Sequence, residues 1–233
     1  MIKYNNYFDS ISDKFEEWVN PFDLTSRLNW FSNQFDSIEI KDKLVLDVGC
    51  GMGSFSKLVR AKCGIPVPFD ISRRLIMKIS GDLINCVNGD AMDLPFKDNS
   101  FELVVSSECI EHTCNPTKAI KEMERVLAPD GIIILTTPNK IWRWTIPIAK
   151  LLRLRNFNGI ENWLSRKAVR RALKNLGMEI LFEDGLYLFP FQFHIFWPLL
   201  EWLNKSGHLL KSLMINQCWV VKKSSIKNIM ENH

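Results

Sequence analysis

Apolar positions along the chain fall into two periods that alternate. Leu44, Val45, Leu46 and Val48 form a short run with β-branched members, the pattern of a strand buried on both faces in a parallel sheet. Comparable runs recur at 66–69, 84–88, 101–107 and 131–137, and helix-compatible segments follow at 56–62 and 116–127. In the second of these Ala119, Ile120, Met123, Val126 and Leu127 mark one apolar side, and Pro116 stands near its first turn. The first 40 residues carry aromatics at spacings of three and four (Tyr4, Tyr7, Phe8, Phe15, Trp18, Phe22, Trp30, Phe31, Phe35), which predicts amphipathic helices broken at Pro21. Toward the end, Ser165 is placed to cap a helix over 166–176 that Gly177 stops, and strands are expected at 178–184 and 215–224.

The first strand runs into Gly49, Gly51 and Gly53 and then into a helix. Glycines in such a turn let the backbone bend tightly and approach a ligand where a Cβ would block it. The spacing is GxGxG, with Ser54 where a dinucleotide fingerprint would carry its third glycine, and the acidic Asp47 precedes the turn. A carboxylate there repels a diphosphate and favours a ligand bearing an ammonium or sulfonium. The second strand ends in Asp70, placed to accept two ribose hydroxyls, a role that would equally serve a nicotinamide cofactor.

Taken in order, LVLDVGCGMG, VPFDIS, GDAMDLPFKDNSFELVVSSECIEH and RVLAPDGIIILTTPN resemble the class I S-adenosylmethionine-dependent methyltransferases of the type 11 kind, densely between Lys43 and Asn139. The resemblance implies a doubly wound, seven-stranded α/β sheet with its last strand antiparallel. It also implies a helical cover over 1–40, a cofactor-binding core over 41–139 and an acceptor-side cap over 140–233, all in a single methyltransferase domain. S-adenosylmethionine is the implied cofactor, with contacts from Arg27, Asp47, Gly49, Gly51, Gly53, Asp70, Ile71, Asp90, Ala91 and Ser107. Within that set, Arg27 matches by position an arginine that holds the methionine carboxylate in ubiquinone-pathway O-methyltransferases, and Asp90 with the next backbone N–H would read the adenine edge. The usual pair of glycines before the fifth strand is reduced to one, Asp130 standing in the first place, and Asp tolerates the left-handed conformation such a turn needs.

After the fourth strand Glu108, Glu111 and His112 stand at i, i+3 and i+4, so a helical turn would place all three on one face beside the methyl donor. Two chemistries follow. Two carboxylates and an imidazole can ligate Mg²⁺, which would bind an acceptor's oxygens and lower a hydroxyl pKa. Alternatively His112 is a general base that Glu111 orients. The pattern is similar to the Glu-x-x-Glu-His of ubiquinone-pathway and small-RNA methyltransferases, although Asn139 stands where the small-RNA enzymes place a further histidine.

Composition narrows the setting. Six cysteines among 233 residues form no CxxC pair and no zinc spacing, the usage of buried reduced thiols in a cytosolic protein. The N-terminus lacks the basic start and apolar core of a secretory signal. The net charge is +4, yet between Lys140 and Gly177 ten basic residues face one acidic residue, Glu161, which leaves the remainder net acidic. Such asymmetry points to an anionic partner. Arg166 and Lys167, at the positive end of their helix, call for an anion there. The run from Leu186 to Leu200 is nearly all apolar or aromatic but shorter than a spanning helix, so it is expected as a lid or an interfacial segment. The leading expectation is a cytoplasmic O-methyltransferase of a small-molecule or lipid-linked acceptor, in peripheral contact with an anionic membrane at its inner face. An RNA methyltransferase and a non-catalytic S-adenosylmethionine-binding module stay open beside it.

Overall fold

The structure is a computed structural model that describes residues 2–79, 85–152, 157–187 and 210–224. Three helices come first: α1 (Ile2–Ile11), α2 (Phe15–Trp18) and α3 (Pro21–Ile38). Pro21 opens α3 rather than merely interrupting a helix, because Asn20 caps it by accepting from the Phe22 and Asp23 amides. Then follow β1 (Leu44–Val48), α4 (Ser54–Ala61), β2 (Ile65–Asp70), α5 (Arg73–Met77), β3 (Val87–Asn88) and β4 (Phe101–Ser107). The second half holds α6 (Pro116–Val126), β5 (Leu127–Pro138), α7 (Thr145–Leu151), α8 (Arg166–Asn175), β6 (Met178–Leu186) and β7 (Asn216–Lys223). Short 3₁₀ turns at Ile110–His112 and Lys140–Trp142 follow β4 and β5.

The seven strands form one sheet in the order β3-β2-β1-β4-β5-β7-β6, with β7 antiparallel to both neighbours, as the sequence leads one to expect. Chain direction across the sheet reverses between β1 and β4, so a crevice opens at their carboxyl ends. One apolar layer packs α6 and α8 through Ile120, Met123, Val169 and Leu173 against Leu46, Val104 and Trp219. The other packs α3 and α4 through Phe31, Phe35, Phe55 and Val59 against Val45, Leu103 and Ile134. The aromatic spacing of α3 is thereby explained: Phe22, Trp30, Phe31 and Phe35 are all buried.

Two local differences from the expected strands stand out. The third strand is only two residues long among those described. Strand β5 starts at Leu127, and its register against β4 jumps from Phe101↔Leu127 to Leu103↔Ile132, so Pro129-Asp130-Gly131 is an excursion within the strand. Asp130 takes φ +61° there, and Lys222 pairs with its carboxylate at 2.9 Å. The apolar run beyond Tyr187 lies outside the described residues; among those described, no helix is long and apolar enough to cross a membrane.

Candidate active site

All three glycines of the turn after β1 have positive φ, at 77°, 52° and 78° for Gly49, Gly51 and Gly53. At Gly49 a Cβ would lie 2.4 Å from Cys109 Sγ, so glycine is required both by conformation and by the approach of the β4 rim. That contact seats the segment carrying Glu108 and Glu111 directly against the turn. Asp47, at the end of β1, is buried and accepts from Ser56 Oγ at 2.5 Å. Burial pushes its carboxyl up to about 7, only partly offset by the Ser56 bond.

Asp70 accepts the Gly51 amide on one oxygen and the Ser72 amide on the other, each at 2.8 Å. A carboxylate offers about four lone-pair positions, so capacity for ribose hydroxyls remains. Burial raises its pKa despite these donors. Ile71 stands beside it, its carbonyl held by Asn88. Asp90 folds back to cap the Met92 amide at 2.8 Å, and Ala91 is buried next to it. Arg27, from α3, reaches across to donate to Ser107 Oγ at 2.7 Å while pairing with Asp23 at 2.8 Å. Burial disfavours its charge, but Asp23 and Glu108 outweigh that and its pKa is raised. Apart from Arg27, which reaches in from α3, the expected cofactor residues lie at or just beyond the carboxyl ends of β1 to β4. A preorganised cradle of glycine backbone, an aspartate with spare acceptor capacity and a buried guanidinium fit an adenosyl amino acid with a free carboxylate.

Glu108, Glu111 and His112 do not share one helical face as the spacing suggests. Glu108 is in the left-handed region at φ 53°, before the 3₁₀ turn that holds the other two, so the helical phase is broken between them. Glu111 is buried and accepts from Thr137 at 2.9 Å. His112 places Nδ1 2.9 Å from the Ile160 carbonyl, which can only accept, so that nitrogen carries the proton; Nε2 lies 3.8 Å from Glu111. The partner that orients the imidazole is therefore Ile160, not Glu111. Among the described residues no group of three or more His, Cys, Asp or Glu converges as a metal site. The arrangement does not fit Mg²⁺, because the left-handed turn at Glu108 keeps it from converging with Glu111 and His112 on one point. Asn139 caps the following 3₁₀ turn and binds the Ser212 and Met214 carbonyls, which accounts for its place after β5 without a ligand role.

Burial holds Glu108 well above the usual carboxylate range, reinforced by the nearby Glu111 charge. Glu111 is pushed up to about 7, again by burial. Polar contacts run from Arg27 to Ser107 to Thr136 at 2.7 and 3.0 Å along the β4–β5 rim, and the next residue, Thr137, donates to Glu111. Sequence reasoning missed Ser56, Thr136, Thr137 and Cys109 as parts of the site. The two threonines carried a signal, a polar pair ending an otherwise apolar strand; Ser56 and Cys109 carried none. Helix α1 lies over the mouth, with Asp9 accepting from Ser72 and the Arg74 amide, and with Phe8 edge-on to His112 at 5.6 Å.

The basic segment is rearranged by the fold. Arg166 is buried, reaches Glu183 at 3.4 Å and lies over the Trp219 ring at 4.9 Å, while Arg170 binds Glu183 at 2.6 Å. The anion expected at the start of α8 is thus supplied by β6.

Residues 46–135 match the family model described as "Methyltransferase domain". Over 119 residues the chain is 36% identical to norajmaline N-methyltransferase of Rauvolfia serpentina, a match covering 45% of this chain and 39% of that enzyme. It is 25% identical over 208 residues to demethylmenaquinone methyltransferase of Paenarthrobacter aurescens, covering 86% of this chain and 76% of that one. A putative sarcosine dimethylglycine methyltransferase from Galdieria sulphuraria has the same fold, with a TM-score of 0.63 at 18% identity, covering 86% of each chain. The matched stretch runs from within β1 to within β5, 90 of the 233 residues, and there the chain is similar to methyltransferases.

Proposed function

We propose that the chain transfers a methyl group from S-adenosylmethionine to an oxygen of a small-molecule or lipid-linked acceptor, as a cytoplasmic enzyme working at the inner face of a membrane. The observation that supports this most is buried Glu111 lying 3.8 Å from His112 Nε2, on a segment lodged against the glycine turn through Cys109. The cofactor supplies an electrophilic methyl when bound. Asp70 would hold its ribose, Asp90 and Ala91 its base, and Arg27 its carboxylate. A hydroxyl acceptor, unlike an amine with a free lone pair, gains most from losing its proton as it attacks, and a base with a pKa near neutrality serves that step. His112 Nε2 takes this proton, and Glu111 stabilises the resulting imidazolium across the 3.8 Å gap. Alignment of donor and acceptor supplies the rest of the acceleration.

The test uses methyl-labelled S-adenosylmethionine with the full chain and separate aqueous and lipid extracts of cells. A labelled product whose methyl sits on oxygen, formed by the native chain and lost with His112→Ala, is the expected result. Labelled nitrogen or carbon products, or labelled RNA alone, would replace this reading with another acceptor class.

A further inference from the structure

We infer that the face formed by the Lys140–Trp142 turn, α7 and Leu213 is an interfacial platform that seats the crevice on an anionic lipid surface. Nine large apolar side chains are exposed among the described residues, and six of them gather here: Ile141, Trp144, Ile148, Leu151, Leu152 and Leu213. Leu151 is 83% exposed and Trp144 61%, values far from those of a side chain merely grazing solvent. Five of the six recur at 141, 144, 148, 151 and 152, so a continuing helical course keeps them to one side. Leu213 joins them from a distant part of the chain, because Trp142 Nε1 donates to the Leu213 carbonyl at 2.7 Å and Trp142 stacks on Trp144. Buried Asn139 clamps the same segment through the Ser212 and Met214 carbonyls, so the patch is held rather than loosely attached.

Charge selects the occupant. Lys140, Arg143 and Lys150 are exposed along the same segment, flanking the apolar stripe, and no acidic residue occurs between positions 140 and 160. Tryptophan and leucine rimmed by lysine and arginine suit the boundary between acyl chains and anionic headgroups, where the ring and stems enter the apolar layer and the cations stay at the headgroups. A protein partner with an apolar face would leave those three cations without counter-charge. The patch also begins three residues beyond Thr137, the partner of Glu111, so the surface and the proposed base lie at the same end of the sheet. An acceptor held in the bilayer would then reach the crevice without crossing water; that consequence rests on the methyl-transfer reading, whereas the surface itself does not.

Flotation of the full chain with vesicles separates the two. Vesicles of zwitterionic lipid mixed with about one third anionic lipid should carry the protein upward, and purely zwitterionic vesicles should carry far less. Leu151→Glu with Leu152→Glu should cut binding at least ~10-fold, and Lys140→Gln with Arg143→Gln and Lys150→Gln should remove the preference for anionic lipid. Both variants should keep wild-type calorimetric affinity for S-adenosylhomocysteine, which reports that they fold. Three outcomes would overturn the platform: absence of flotation with every vesicle, flotation that both variants retain, or a dimer in solution that the glutamate variant dissociates. Loss of S-adenosylhomocysteine binding by the wild-type chain would instead overturn the methyl-transfer reading while leaving flotation intact.

Discussion

The crevice has two rims built on different principles. Along β1 and β2 the ligand-facing surface is mostly backbone: three left-handed glycines and the amides of Gly51 and Ser72, with Asp70 gathering both amides. Along β4 and β5 it is side chain: Ser107, Glu108, Glu111, Thr136 and Thr137, held by Arg27 from a different layer. A backbone rim tolerates little substitution, because its geometry is set by φ and by close approach. A side-chain rim can change chemistry one residue at a time without disturbing the turn. This division suits a domain in which the donor stays constant and the acceptor differs.

The sharpest way to break the comparison is to change each rim and measure both functions. His112→Ala should lower turnover of the acceptor by roughly 10²–10⁴ through loss of the general base, while S-adenosylhomocysteine affinity changes little. Equal losses in both would show that the rims are not separable.

Asp47 belongs to the first rim yet is titratable. Its carboxyl rises from 3.8 to about 7 on burial, so folding retains a proton that the unfolded chain releases. Its favourable contribution is full below pH 3.8 and is lost as pH rises to about 7, a swing of at most ~4 kcal/mol. Denaturation of the cofactor-free chain from pH 4 to 8 should show this decline, and Asp47→Asn should flatten it. A sulfonium or ammonium bound nearby favours the ionised form, so binding of S-adenosylmethionine should release a proton near neutrality. Calorimetry in buffers of different ionisation enthalpy reads that release, and identical apparent enthalpies in all of them would rule it out.

Next in size is Gly49→Ala. Left-handed strain and the collision with Cys109 together should cost ~3 kcal/mol of stability, read from urea midpoints. Placing Cys109→Gly in the same chain should restore part of that, since the colliding atoms are gone and only the strain remains. A double variant no better than the single would mean that contact between the rims is unimportant. Smaller still, Asp70→Ala should weaken S-adenosylhomocysteine binding by about 1.5–3 kcal/mol for lost charged hydrogen bonds. Tight nicotinamide-dinucleotide binding by the native chain, with no response to S-adenosylmethionine, would reverse the assignment of this rim altogether.

Much of the first rim is legible in sequence because its determinants are local. Three glycines at alternate positions after an apolar run, and an aspartate ending the next strand, specify the turn through φ preference and strand period. The periodicities mark where strands and helices fall, whereas the seven-stranded sheet with its last strand antiparallel is what the family resemblance implies. The second rim could not be read in this way. The spacing of Glu108, Glu111 and His112 suggests a helical face, but the left-handed turn at Glu108 breaks it. Only packing brings Thr137 to Glu111 and the Ile160 carbonyl to His112, across 26 and 48 residues. Likewise the charge count marks 140–177 as basic, while the fold buries Arg166, pairs it and Arg170 with Glu183, and leaves Lys140, Arg143 and Lys150 outside with the exposed tryptophan and leucines. Conformational preference and burial period are properties of short stretches and are written in the sequence. Which carboxylate meets which donor, and which cation finds a counter-charge, is a matter of distance between segments far apart in the chain, and the tertiary structure alone decides it.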